Sequence, residues 1–141
     1  MQTEKAMNKN EAMAEIKEKI LSTTIKEITP FGIKLELNLE GQLTGELYTA
    51  HHMETVSLVQ NVDGSFESEA RAIENTRDGD MLVISYRGSG KQTGPTTMWG
   101  ESEGIIMTQS KRLSQLNNAR VKTEVTADVA SGEVVVKYFK S

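Results

Sequence analysis

The stretch Ile33-Lys34-Leu35-Glu36-Leu37-Asn38-Leu39-Glu40 decides the fold class. Every second residue is apolar, and those between are charged or amide side chains. Extended strands point successive side chains to opposite faces, so this pattern sets one face against a core and the other in water. The same period recurs further along. Phe66, Ser68, Ala70 and Ala72 share one side of a strand over 65–76, and Val121, Thr123, Val125, Ala127 and Val129 alternate strictly. In the last strand Val134, Val136 and Tyr138 oppose Val135, Lys137 and Phe139. Asp63-Gly64 and Asp78-Gly79 are hairpin turns, because both residue types tolerate positive φ.

Between these anchors, Gly41-Gln42 reads as a turn, followed by strands over 43–50 and 53–62. The continuous apolar run from Met81 to Tyr86 predicts a strand covered on both faces. Gly88 to Pro95 reads as a loop, and 97–108 as a long strand. Leu113 and Leu116, with Ser110 as a cap, predict a short helical turn. At the other end, Asn8 and Glu11 have the spacing of a helix start, with Met13, Ile16 and Ile20 forming one apolar stripe. That predicts a helix over residues 9–21. Eight or nine strands follow at intervals of about 8–12 residues, without room for βαβ crossovers. Long hairpin-linked strands close most simply into an up-and-down barrel, which removes exposed edges. The expectation is a mainly β, antiparallel barrel of about eight strands with one N-terminal helix, forming a single domain over 1–141.

Composition removes several functions. None of the 141 residues is Cys, so disulfides, thiolate nucleophiles and Cys-based metal sites are excluded. No apolar run approaches a signal-peptide core or a membrane span, so the expected location is cytoplasmic, with no membrane partner. The net charge is -4, from 16 basic and 20 acidic groups. Charge is uneven: 22–110 hold six basic and 13 acidic groups, and 111–141 six basic and three acidic. The basic cluster Lys111, Arg112, Arg120 and Lys122 has no aromatic interleaved with it, so it reads as a solvated face, with no nucleic-acid partner.

Four glycine-rich segments carry a resemblance: Gly41-Gln42-Leu43-Thr44-Gly45-Glu46-Leu47, Asp63-Gly64-Ser65-Phe66-Glu67, Gly88-Ser89-Gly90, and Gly100-Glu101-Ser102-Glu103-Gly104. Over about 33–139 the chain resembles a calycin-type meander, in particular the small uncharacterised allene-oxide-cyclase-like β-barrels. The resemblance implies a fold. It supplies no catalytic residue, and the Gly-x-Trp of lipocalins is absent.

The candidate sites are sparse. Gly88 to Gly94 lacks the spacing of a phosphate loop. His51 and His52 point to opposite faces of a strand; His52 and Glu54 share one, which is two ligands where zinc takes three or four. Two polar residues at a hairpin tip is the preferred account, and no metal or cofactor is expected. Trp99, Glu101, Glu103, Ile105 and Met107 share a face of one strand. If that face is inward, Glu101 and Glu103 become desolvated candidates for acid–base catalysis; if it twists outward, both reach solvent, which is the favoured reading. Tyr48, Tyr86, Trp99 and Glu101 are the candidate ligand-binding residues of the lumen. With only three Phe, three Tyr and one Trp, the interior is expected to be underfilled and to take a small hydrophobic or amphipathic ligand without catalysis. The alternatives are an isomerase or cyclase using a lumen carboxylate, and a homodimer formed through the N-terminal helix.

Overall fold

The computed structural model describes residues 12–141. Eight strands run in chain order: β1 Ala14–Thr29, β2 Gly32–Gly45, β3 Thr49–Asn61, β4 Ser65–Thr76, β5 Met81–Gln92, β6 Thr97–Thr108, β7 Ala119–Asp128 and β8 Glu133–Lys140. Each pairs antiparallel with the next, and β8 returns to β1, closing the barrel. The meander follows from the alternation: apolar positions line the interior, and Lys, Glu and Arg positions line the outside. One 3-10 turn, Ser114–Leu116, lies between β6 and β7, where a short helical turn was expected.

The N-terminal helix is corrected. Residues 14–21 belong to β1, with Ala14, Ile16 and Glu18 buried at strand spacing; the part of the expected helix at 9–11 lies outside the described residues. Ile16 and Ile20 satisfy a period of 2 as well as a helical one, and pairing with both β2 and β8 decides between them. Gly41-Gln42 is also no turn: β2 runs through it, and the chain reverses at 46–48. Gly88 and Gly90 lie inside β5, and the loop is only 93–96. Met81 and Ser85 are exposed, so β5 alternates instead of being covered on both faces. Gly64, at φ +89, does occupy the turn expected of it.

The two ends of the barrel differ. At one end, Leu113 and Leu116 of the β6–β7 connection fold in against the core formed by Ile16, Leu43, Leu82, Ile106 and Tyr138. Each such fully buried aliphatic side chain contributes about 1.5–3 kcal/mol. Asp80 ties this cap down, accepting from Ser110 Oγ at 2.6 Å and from Arg112 Nε at 3.2 Å. At the other end lie the turns at 30–31, 62–64, 93–96 and 129–132, and the barrel is hollow. There β1 outruns its neighbour: it pairs with β8 only from Ala14 to Lys19, so from Ile20 to Thr29 it pairs, among the described residues, with β2 alone. Ile28 and Phe31 are 72% and 79% exposed on this projecting hairpin.

Candidate functional site

The interior carries more charge than an apolar barrel tolerates without compensation. Glu18, His52, Glu54 and Glu74 all point inward and are buried, with Tyr48, Tyr86 and Tyr138 around them. Strand register explains the grouping. Glu18, Gly41, His52 and Glu74 form one cross-strand row over β1 to β4. Glu18 and His52 are two strands apart, yet Glu18 Oε1 reaches within 3.6 Å of His52 Nε2. Gly41 permits this, because a Cβ there would lie 2.6 Å from the Glu18 Cβ. The glycine is needed here for close approach, not for a turn.

His52 is held from both sides. Its Nδ1 lies 2.7 Å from Glu74 Oε2, and its Nε2 lies 2.7 Å from Glu54 Oε1. Glu74 also accepts the hydroxyls of Tyr48 and, at 2.8 Å, Tyr138. Tyr86 donates to Glu54 Oε2 at 2.6 Å. Burial opposes charge on His52, but the hydrogen bonds to Glu54 and Glu74 outweigh it and lift the imidazole to about 10. Burial likewise works against an ionised Glu54, but the hydrogen bond and charge of His52 hold its carboxyl below the usual range. All three tyrosine hydroxyls are pushed up, by burial first and by the adjacent carboxylates second; they remain donors.

Glu18 is the exception. Among the described residues neither of its oxygens has a hydrogen-bond partner, although its side chain is fully buried. Burial, and then the negative charge of Glu54, raise its carboxyl to about 10. Two neighbouring carboxyls are thus shifted in opposite directions, Glu54 down and Glu18 up, an arrangement suited to proton exchange.

Above this floor lies a cavity of about 440 Å³ opening at the hollow end. Glu18, Glu54 and Tyr86 form its polar base, and its walls include Leu35, Leu37, Val56, Leu58, Val125 and Val134. The size falls in the usual range of small-molecule pockets, roughly 300–1,000 Å³. Small inward residues on β4 and β7, among them Ser68, Ala70 and Ala127, leave the space open.

The structure distributes the sequence candidates unevenly. Tyr86 sits at the cavity base. Tyr48 is buried at the capped end, bonded to Glu74, and does not line the cavity. Trp99 is half-buried on the outer side of β6. Glu101 passes the cavity with its backbone strand, but it and Glu103 are exposed on the outward face, while Ser102 points in. Glu101 and Glu103 thus reach solvent, as the preferred reading of the strand had it, and the desolvated alternative fails; the lumen carboxylates are Glu18, Glu54 and Glu74. His51 and His52 do face opposite ways, but inside β3, not at a hairpin tip. Glu74 was legible by parity, since it follows Ala70 and Ala72 on the inward face. Glu18 was hidden by the helical reading of its segment.

The fold and this site define a closed eight-stranded antiparallel barrel with a charged floor beneath an apolar chamber. Solved structures of the same shape exist. A protein of unknown function from Clostridium acetobutylicum superposes with a TM-score of 0.80 at 15% identity, over 92% of this chain and 94% of that one. A β-barrel-like protein from Acinetobacter baumannii gives 0.79 at 12% identity, over 92% and 93%. A conserved protein of unknown function from Rhodopseudomonas palustris gives 0.78 at 13% identity, over 92% and 95%. At these identities the likeness is one of fold. No family model matches the chain, and no curated protein does. Among the described residues no helix is long and apolar enough to cross a membrane.

Proposed function

We propose that the protein binds a small amphipathic ligand inside the barrel. The observation that carries this reading is the apolar cavity of about 440 Å³ ending on a polar base. The ligand's apolar body would lie along Leu35, Leu37, Val56, Leu58, Val125 and Val134, and its polar end would face Glu18, Glu54 and Tyr86. A calycin-like kinship fits the same use of a one-ended chamber. Trp99, half-buried on β6, offers a fluorescence probe. Titration with medium-chain fatty amines, fatty acids and aromatic metabolites, followed by thermal shift and Trp emission, tests the reading. Saturable stabilisation that is weakened in Ala127→Leu, whose larger side chain narrows the chamber, supports it; no stabilisation by any class overturns it. An isomerase or cyclase acting here would have to use Glu18 and Glu54, since Glu101 and Glu103 face outward.

A second reading, self-association, is favoured by the edge of β1, which from Leu21 to Thr29 meets no strand but β2 among the described residues. A strand edge with unsatisfied N–H and C=O groups invites pairing with another chain. In an antiparallel β1–β1 contact the adjacent Lys26 and Glu27 would meet charges of opposite sign. The homodimer would form through this edge and not through a helix. Light scattering tests it: a dimer that Ile25→Lys with Ile28→Lys converts to monomer supports the reading, and a monomeric wild type rejects it.

A further inference from the structure

The floor of the chamber has the donor set and the support of a metal centre. We propose that Glu18, His52 and Glu54 bind a divalent first-row transition ion, of the Zn²⁺ or Mn²⁺ class. This does not rest on the ligand reading, since an ion can load whether or not an organic molecule fills the chamber above it.

Four observations carry it. First, one oxygen of Glu18, one of Glu54 and a ring nitrogen of His52 all lie within 4.8 Å of one another. His52 Nε2 is 2.7 Å from Glu54 Oε1 and 3.6 Å from Glu18 Oε1. Ligand atoms around a tetrahedral ion with bonds of roughly 2.0–2.1 Å sit about 3.3 Å apart, so small side-chain rotations bring all three into range. Second, the Glu18 side chain is fully buried, and among the described residues neither of its oxygens lies within hydrogen-bond geometry of a partner. Buried polar atoms left without partners are rare and call for an explanation such as an ion. Third, the outer partners are those a metal ligand needs. Glu74 holds His52 Nδ1, which fixes the ring and leaves Nε2 as the donor nitrogen, and Tyr86 holds the far oxygen of Glu54. A carboxylate behind a ligating histidine orients it and raises its basicity. Fourth, the ligands meet the chamber, because Glu18 and Glu54 line it. Three protein ligands would leave at least one coordination position turned toward that space, as in sites that bind a small molecule through the ion.

One imidazole and two carboxylates suit a borderline to hard divalent ion better than a soft one. Loading exchanges two protons for the ion, the one His52 Nε2 shares with Glu54 and the one on the raised carboxyl of Glu18, so the Nε2 lone pair and a Glu18 oxygen become the bonds and both protons leave through the chamber. Sequence spacing alone offered only His52 and Glu54; the third ligand comes from β1 across Gly41.

The test is direct metal titration of the chelator-treated, full-length protein. Zn²⁺ and Mn²⁺ are followed by calorimetry, and Co²⁺ by its visible absorption, which reports the donor set and geometry. The expected result is one equivalent bound, with at least tenfold weaker binding in Glu18→Gln. Glu74→Gln, which removes only support behind the histidine, should weaken binding by about 10–100-fold while keeping the Co²⁺ band. Glu101→Gln, on the outer face, should bind as wild type, and Ala127→Leu should still bind the ion while binding the organic ligand more weakly. Circular dichroism of each metal-free variant establishes that it is folded. If Glu18→Gln and wild type bind alike, or wild type binds none of the three ions, the proposal is overturned.

Discussion

The two halves of this barrel are built from one alternating pattern and behave as different materials. Toward the cap, inward positions carry Ile16, Leu43, Leu82, Ile106 and Tyr138, and the interior is filled. Toward the open end, the same inward rows carry Ser68, Ala70 and Ala127, and a chamber remains. Between them lies the belt of Glu18, His52, Glu54 and Glu74, wet chemistry set in a dry wall. Closure of the sheet satisfies the backbone of both halves equally. Stability can therefore come from the capped half, which leaves the other half free to be hollow.

The belt should be where the molecule breaks most easily. Glu74 accepts from His52, Tyr48 and Tyr138 at once. Glu74→Ala strands an imidazole and two hydroxyls and opens a void, and removing one partner of a buried pair costs about 3–5 kcal/mol. Urea unfolding of the metal-free protein measures this. A loss below about 1 kcal/mol would mean that the belt is already hydrated, and that the two halves are not separated by a dry layer.

The sharpest test of the contrast is one substitution made in each half. Ala72 is buried at the belt, level with Glu54 and Ile84 in the register and away from the chamber lining, and Ala127 lines the chamber. Leu at the buried position 72 must displace its neighbours, and overpacking costs about 1–3 kcal/mol. Leu at position 127 enters open volume, so stability should stay within about 0.5 kcal/mol of wild type. Equal effects at the two positions, read from the same urea curves, would erase the distinction between the halves.

The contrast was only half legible in the sequence. Ile33 to Glu40 and Phe66 to Ala72 announced strands, and the hairpin signals at Asp63-Gly64 and Asp78-Gly79 located two turns correctly. Parity also put His52 and Glu54 on one face. What alternation cannot report is which inward residues meet across the lumen. Glu18 and His52 come together only because Gly41, on the strand between them, has no side chain, and that glycine looked like a turn. Ile16 and Ile20 fit a helix stripe and a strand face equally well, so local pattern could not choose, and pairing with β8 did. The outward face of β6 was equally undetermined, since Trp99, Glu101, Ile105 and Met107 mix apolar and charged residues where a clean strand separates them.

The smallest effect contrasts the loops at the two ends. Asp63 and Asp80 are both acids held below the ordinary 3.8, but by different means. Asp63 is held by hydrogen bonds from Ser65 within its own turn. Asp80 is held by Ser110 first and then Arg112, which belong to the cap, and also by Thr76. A carboxyl whose folded pKa is depressed adds stability above its unfolded value and loses it as pH falls through the folded one. Asp80→Asn should therefore lower the Tm at neutral pH, and the gap to wild type should close as pH falls below about 4. Asp63→Asn should show the same convergence with a smaller gap, because no distant segment depends on that side chain. Melting curves of both variants between pH 2 and pH 7 decide it. A larger gap for Asp63 than for Asp80 would mean that the β3–β4 turn, not the cap, anchors the barrel, and would reverse the assignment of the stabilising end.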